Sequence, residues 1–597
     1  MIPDIGQSFV DVIPAEVKSD VLRVEGGASF LVSYGSHKVI PDVIIRDEDS
    51  GSWLALLGTP LAAWPTEERV AVLRKFFRDP ANFIKDGLDG CFALLAYDAI
   101  AGAAYAATDY NNTTPIYYAS TANGILLSSH ELPLARHLGS EIDPLGFSMT
   151  IHMKLTWGTL TRFKNIRKLA PCQIVTFRGG RAPSSAFYWS PAEESQWPSK
   201  FDETIDRWLA LLKGSLQAYY DRSRNKTVIC EFTGGEDSRL LLAVCHSIGI
   251  PFYAMVDGQE TDPDVLVAKE AARKTGFKLV VRAKPQITED QLLSNAVRIS
   301  LRDDAYQDYF ASCSLFAIDE ANPPRYYDHV KFCGAPGGEA FRGSYYLRGK
   351  AFFPSSRRPW DSRFFTKMKF LLDFHPGLLK FPDEECQNTI LALAEQARDA
   401  VAEFPIGIRI DHLIRMFQTS NAGLIYKNPR YLPFATKEMT RTVYNLSPHF
   451  KRGGRLTKAC TELLYPELAS VRTLKGVPTV RKTPRRILLF MPEHLAVARA
   501  VMIGAVSRLL KWTESNKPDY QWSRNATTIM TLLNTPPYAR WFSSSESMVT
   551  GPLYHGPFVD SLLGEAKSGG SRHVPILGRI LNQELACRWV RREAPPL

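Results

Sequence analysis

Thr227-Val228-Ile229-Cys230-Glu231-Phe232-Thr233-Gly234-Gly235-Glu236-Asp237-Ser238 is the stretch on which the reading of this chain turns. Its first six residues alternate as a strand does, and Ser238 to Ser247 carries the spacing of a helix. Two adjacent glycines between them let the backbone turn tightly and approach an anion, towards which the helix offers unpaired N–H groups and its positive dipole end. No lysine follows, so the loop is not G-x-x-x-x-G-K-[ST], and the third glycine of G-x-G-x-x-G is missing. What remains is a phosphate-sized turn with hydroxyls at Thr233 and Ser238 and a carboxylate, Asp237, suited to hold Mg²⁺ against phosphate oxygens. The plain alternative is a turn whose Asp237 or Ser238 caps a helix.

Working outward, Phe201 to Tyr220 places Ile205, Trp208, Leu209, Leu212 and Leu216 at helical spacing. Downstream, a strand is expected over Pro251 to Val256, a helix around Pro263 to Thr275 and a strand over Lys278 to Arg282. Alternating strand and helix with short connections predicts βαβ units and a parallel sheet. From about residue 380 onward the pattern is mostly helical. Residues 1 to about 195 read instead as short β-rich runs: Ala28 to Tyr34, Gly90 to Tyr97, Ala103 to Thr108 and Gly124 to Ser129. The stretch Ser184 to Ser199, with Pro191, Pro198 and several serines, suits a connection. Two domains are expected, 1–195 and 200–597.

Composition narrows the class. Apolar residues at 45% and charged residues at 22% belong to a globular chain. The formal charge of +10 favours acidic partners without choosing among them. The Lys/Arg-dense run Lys451 to Arg486 lacks the aromatic interleaving of a single-strand groove, so no nucleic-acid partner is expected. Nine scattered cysteines without C-x-x-C spacing fit thiols in a reducing cytosol, and Met1-Ile2-Pro3-Asp4 does not open a secretory signal. No transmembrane segment is expected, since Glu493, His494, Arg499 and Arg508 interrupt the most apolar run, Ile487 to Leu510. That run reads as an amphipathic helix, and the localisation as cytoplasmic.

Four blocks carry a resemblance to a known family. Thr233 to Ser238 resembles the S-G-G-x-D-S loop of the asparagine synthetase family, and Asp262-Pro263-Asp264 leading to Ala268, Ala271 and Thr275-Gly276 resembles its segment near the adenine. Cys333-Gly334-Ala335-Pro336-Gly337-Gly338-Glu339-Ala340-Phe341-Arg342-Gly343 is similar to S-G-x-G-x-D-E-x-F-x-G. Tyr431-Leu432-Pro433-Phe434, then Leu464 to Leu468 with Arg472 and Lys475-Gly476, resemble V-P-F-L-D and L-P-x-x-[IL]…R-x-K-x-G. The blocks stand in family order. One departure matters: Gly338 occupies the place of a metal-binding aspartate, so either Glu339 supplies the carboxylate or fewer groups hold the metal.

The resemblance implies an α/β two-domain fold. An N-terminal Ntn-hydrolase-like αββα sandwich, a degenerate glutaminase, would precede a C-terminal ATP-pyrophosphatase domain with a parallel sheet and a helical extension. It implies ATP and Mg²⁺, with Thr233, Gly234, Gly235, Asp237 and Ser238 around the pyrophosphate and Asp237 and Glu339 on the metal. Lys451, found by counting back from Pro466, and Glu339 would be catalytic, with Arg455 and Lys458 as competitors for the cation. Asp89-Gly90-Cys91-Phe92-Ala93, Pro115 to Tyr118, Ser128 to Glu131 and Phe163 to Pro171 resemble the glutaminase domain, but active members have a cysteine after the initiator Met where this chain has Ile2, and Cys91 reads as a buried structural thiol.

The expected reaction is therefore adenylation of a carboxylate followed by attack of a substrate-borne amine. The chain most resembles lasso peptide macrolactam synthetases, which implies a leader-cleaved core peptide as substrate and a leader peptidase and leader-binding protein as partners. A β-lactam-synthetase-like enzyme, ammonia-dependent asparagine formation and a degenerate binding scaffold are the alternatives.

Overall fold

In the computed structural model the described residues are, short breaks aside, 21–24, 30–33, 43–321, 330–335, 375–401, 430–490 and 520–594, with isolated positions between them such as Gly337, Phe341 and His412. A hairpin of β1 (Val21–Val24) and β2 (Phe30–Ser33) comes first. A six-stranded antiparallel sheet follows, built from β3 (Val43–Asp47), β4 (Ser52–Pro60), β5 (Gly90–Asp98) and β6 (Ala103–Thr108), while β7 (Tyr117–Thr121), β8 (Gly124–Ser128) and β9 (Arg167–Lys168) form a second sheet. Strands β10 (Gln173–Arg178) and β11 (Ser184–Phe187) return to the first, giving the order β11-β10-β6-β5-β4-β3. Ser184 to Phe187, which composition places in a connection, is thus an edge strand, and its residues are all exposed.

Both faces of the large sheet are covered, which is why β4 and β5 are almost continuously apolar. Leu54, Leu56, Phe92 and Leu94 pack on α1 (Arg69–Arg78) and α2 (Pro80–Gly87) through Leu73, Phe76, Phe83 and Ile84. Trp53, Ala55, Leu95 and Phe177, on the opposite face, meet Tyr118, Ile125 and Leu127 of the small sheet. The far side of that sheet packs Tyr117 and Ala119 against α3 (Glu131–Leu138) and α4 (Pro144–Met153).

The chain then enters α5 (Phe201–Arg222), β12 (Val228–Glu231), α6 (Glu236–Ser247), β13 (Phe252–Asp257), α7 (Pro263–Thr275), β14 (Leu279–Arg282), α8 (Glu289–Leu301), α9 (Tyr309–Ala321) and β15 (Val330–Phe332). The four strands form a parallel sheet in the order β14-β13-β12-β15. The expected alternation is present within a residue or two, and α6 starts at Glu236 rather than Ser238. After residue 380 come α10 (Asp383–Asp399), α11 (Lys437–Asn445), α12 (Arg455–Leu464), α13 (Pro466–Ser470), α14 (Tyr520–Asn534), α15 (Gly556–Lys567) and α16 (Val574–Val590), with no strand among the described residues.

Two apolar cores run across the expected 195/200 boundary, of which residues 195–199 lie outside the described ones. One joins Phe92 and Trp189 to Trp208, Leu241 and Phe434. The other joins Phe147 and Ile166 to Ala296 and Ile299 of α8 and to Leu577 and Leu581 of α16.

Candidate functional site

The candidate site lies beside the first of these cores, where the parallel sheet reverses its direction of growth. From β12 the chain adds β13 and β14 on one side, then returns to lay β15 on the other. Loops leaving the carboxyl ends of β12 and β15 therefore meet at the reversal point, the usual ligand position in a parallel sheet. The glycine loop leaves β12 at this point. Gly234 has φ +67, and a Cβ there would stand 2.6 Å from Val267 Cγ1 of α7, so space and backbone both require glycine. Gly235 is the N-cap of α6, and no side chain caps that helix. The loop thus keeps the chemistry of an anion cradle. Thr233 is exposed, Asp237 half-buried and Ser238 buried, its Oγ donating to Gly235 O at 3.3 Å.

The opposite wall comes from the loop after β15. A Cβ on Gly334 would lie 3.1 Å from both Asp237 Cβ and Ser238 N, and one on Gly337 would lie 3.3 Å from Asp237 Cβ and 3.0 Å from Phe434 Cδ2. Tyr431 pairs in parallel with Phe332, and Cys333 N donates to Tyr431 O at 3.0 Å, so Pro433-Phe434 leaves the sheet beside the same two loops. Phe434 is buried against Trp208 and Phe341. Three of the sequence blocks therefore meet around Asp237. Glu339 and Gly338 lie outside the described residues.

Charge around the loop is arranged by burial. Arg239 is fully buried: Nε donates to Gly234 O at 3.0 Å, and its other nitrogens donate to Leu468 O, Val471 O and Arg472 O. Burial pulls its guanidinium down to about 10. The clamp ties the glycine loop to the turn that carries the exposed Arg472 and Lys475. Lys458 Nζ, on α12, lies 3.5 Å from Glu236 Oε1 and donates to Gly453 O. Lys451 is buried with Nζ donating to Val443 O at 2.5 Å, while Arg455 sits over the Phe201 ring at 5.2 Å. Lys458 contacts the first turn of the helix that the loop leads into.

Sequence reading missed a second charged group at the strand ends. Burial pushes the Glu231 carboxyl up, but Arg430 at 2.8 Å and Lys331 at 3.3 Å outweigh it and hold it below the usual range. Strand alternation offered the only signal, since Glu231 is a charge at the end of an apolar strand.

The first lobe docks beside these loops. Asn111 Nδ2 donates to Ala435 O at 2.8 Å and to Thr440 Oγ1 at 2.6 Å, and Asp89 accepts from Lys437 N. Cys91 is buried against Leu432 and Ala435, and burial raises its thiol far above the usual range. Cys172 is buried as well.

An uncapped helix start, three glycines that leave little or no room for a Cβ and one half-buried carboxylate suit a pyrophosphate with Mg²⁺. Of the expected metal ligands only Asp237 is described, and among the described residues no group of three or more His, Cys, Asp or Glu is placed to hold a metal ion. No known protein family matches this chain, and no curated protein matches it. No described helix is long and apolar enough to cross a membrane.

Proposed function

We propose that this chain is an ATP-dependent, AMP- and pyrophosphate-forming carbon–nitrogen ligase of the asparagine synthetase type. The observation that carries the reading is the meeting of the 233–238, 333–337 and 431–434 loops around Asp237, at the reversal point of a parallel sheet. In the reaction a carboxylate oxygen attacks the α-phosphorus and pyrophosphate leaves; an amine then attacks the acyl carbon and AMP leaves.

The N–H groups at the start of α6 would donate to pyrophosphate oxygens, with Thr233 and Ser238 adding hydroxyls. Asp237 would hold Mg²⁺, with Glu339 as its partner and as a base towards the amine. For the cation that offsets charge growing on the leaving group, the Lys475 turn is favoured over Lys451, because Arg239 ties that turn to the loop. The helix–sheet–sheet–helix packing of the first lobe supports a glutaminase-like ancestry. Its two cysteines are buried, which leaves neither as a nucleophile and favours an amine borne by the substrate.

The substrate we assign is a leader-cleaved core peptide, closed through its N-terminal amine and an Asp or Glu side chain into a lasso macrolactam. A leader peptidase and a leader-binding protein would be its partners. The test is exchange of labelled pyrophosphate into ATP with added core peptide. Exchange that is lost in Asp237→Ala, with loss of one water from the peptide mass, supports the assignment. Exchange with small amino or β-amino acids instead would move the chain to another lactam synthetase class. Nucleotide binding without exchange would make it a scaffold.

A further inference from the structure

Phe434 is carried on a single 3-10 turn, Pro433–Ala435, and one such turn is too short to fix its own position. Its neighbours do so. From the second lobe, Trp208 packs on the Phe434 ring and Ser215 Oγ lies 3.0 Å from Thr436 Oγ1. From the first lobe, 324 residues earlier in the chain, comes the buried Asn111. Its amide uses both hydrogens here, donating to Ala435 O at 2.8 Å at the end of the turn and to Thr440 Oγ1 at 2.6 Å inside α11. Asp109 fixes Asn111 in turn, accepting from Asn111 N at 2.7 Å. Lys437 Nζ also donates to Lys85 O at 3.1 Å, and Cys91 of β5 packs on Leu432 and Ala435.

The turn so held has little slack on its other side. A Cβ on Gly337 would stand 3.0 Å from Phe434 Cδ2 and 3.3 Å from Asp237 Cβ, so Gly337 lies between the aromatic wall and the carboxylate. Close packing passes on a displacement of a few tenths of an ångström instead of absorbing it.

We propose that Asn111 is a positioning residue for the site: through Ala435 and Thr440 it sets where the Phe434 wall stands against Gly337 and Asp237. This gives the first lobe, whose cysteines are buried, a task in the reaction of the second. The effect on rate rests on the adenylation reading; the hold on the wall does not.

The test compares three variants of the full chain. Asn111→Leu removes both donors, Thr440→Val removes one acceptor at nearly constant volume, and Glu194→Gln loosens the same lobe contact away from the wall, where Glu194 accepts from Arg441 and Asn445. Amide hydrogen exchange in the peptide 432–437, followed by mass spectrometry, should speed up by about tenfold in Asn111→Leu and by less in Thr440→Val. Pyrophosphate exchange should lose about tenfold in kcat in Asn111→Leu, with KM for ATP within about twofold, and Glu194→Gln should show neither effect. If Asn111→Leu does not fold, Thr440→Val decides by the same two readings. Unchanged hydrogen exchange at 432–437, or a kcat loss in Glu194→Gln equal to that in Asn111→Leu, would overturn the proposal. A parent chain that exchanges no pyrophosphate would sink the adenylation reading instead, and the hydrogen-exchange comparison would still decide whether Asn111 holds the wall.

Discussion

The Glu236 carboxylate, in the first turn of α6, stands 3.5 Å from the Lys458 ammonium of α12, and both side chains are buried. Glu236 Oε2 has no hydrogen-bond partner among the described residues, so the Lys458 ammonium and the buried Arg239 guanidinium offset that charge. Removing one member of a buried pair strands the other. Lys458→Met should lower unfolding stability by about 3–5 kcal/mol, and Glu236→Gln with Lys458→Met together should cost less than the two singly. Urea denaturation of the four proteins measures the coupling; additive losses would mean that the pair does not act as one.

Gly234→Ala combines two penalties. The left-handed backbone costs about 1–2 kcal/mol, and the new methyl meets Val267 Cγ1. The variant should lose ATP binding in calorimetry while keeping its circular dichroism. Val267→Ala in the same chain should recover the steric part only.

Lys475→Met should lower pyrophosphate exchange by about 10²-fold with the urea midpoint unchanged, as expected of an exposed cation acting on developing charge. Lys451→Met should do the reverse, because Lys451 is buried on Val443 O. Loss of exchange in Lys451→Met at full stability would return the catalytic role to that residue.

Asp109 gives the stability a pH dependence of definite sign. Burial pushes its carboxyl up to about 6, against the donors Thr113, Asn111 N and Phe92 N. Between about pH 4 and 6 the folded protein then holds a proton that the unfolded chain has lost, so stability falls as pH rises through that window and levels off above it. The fall amounts to about 3 kcal/mol. Comparing urea midpoints of the protein and of Asp109→Asn across that range isolates the contribution, and identical slopes would exclude it.

The strands, the glycine loop and the helix after it were legible because each depends on local periodicity and on the conformational demands of Gly234. The thiol character of Cys91 was legible too, from its place inside an apolar strand. Lys458 was legible only as a competitor for the cation, and the burial of Arg239 was not legible at all, since a charge near a helix start reads as solvated until the opposing backbone is known. Glu231 was hidden for the same reason: its neutralising partners, Lys331 and Arg430, are remote in sequence. Ser184 to Phe187 shows the converse, as its serines suit an exposed edge strand as well as a linker.

The return of the chain from β14 to lay β15 against β12 also bears on how the protein is made. During synthesis the glycine loop at 234 emerges long before its wall at 334, Phe434 and the carbonyls of 468–472 that Arg239 requires. Contacts so remote in sequence form late and slowly. Until they do, the Arg239 guanidinium lacks the three carbonyls that later enclose it and stays hydrated, and any ligand that binds only the completed loop would favour the finished fold by mass action.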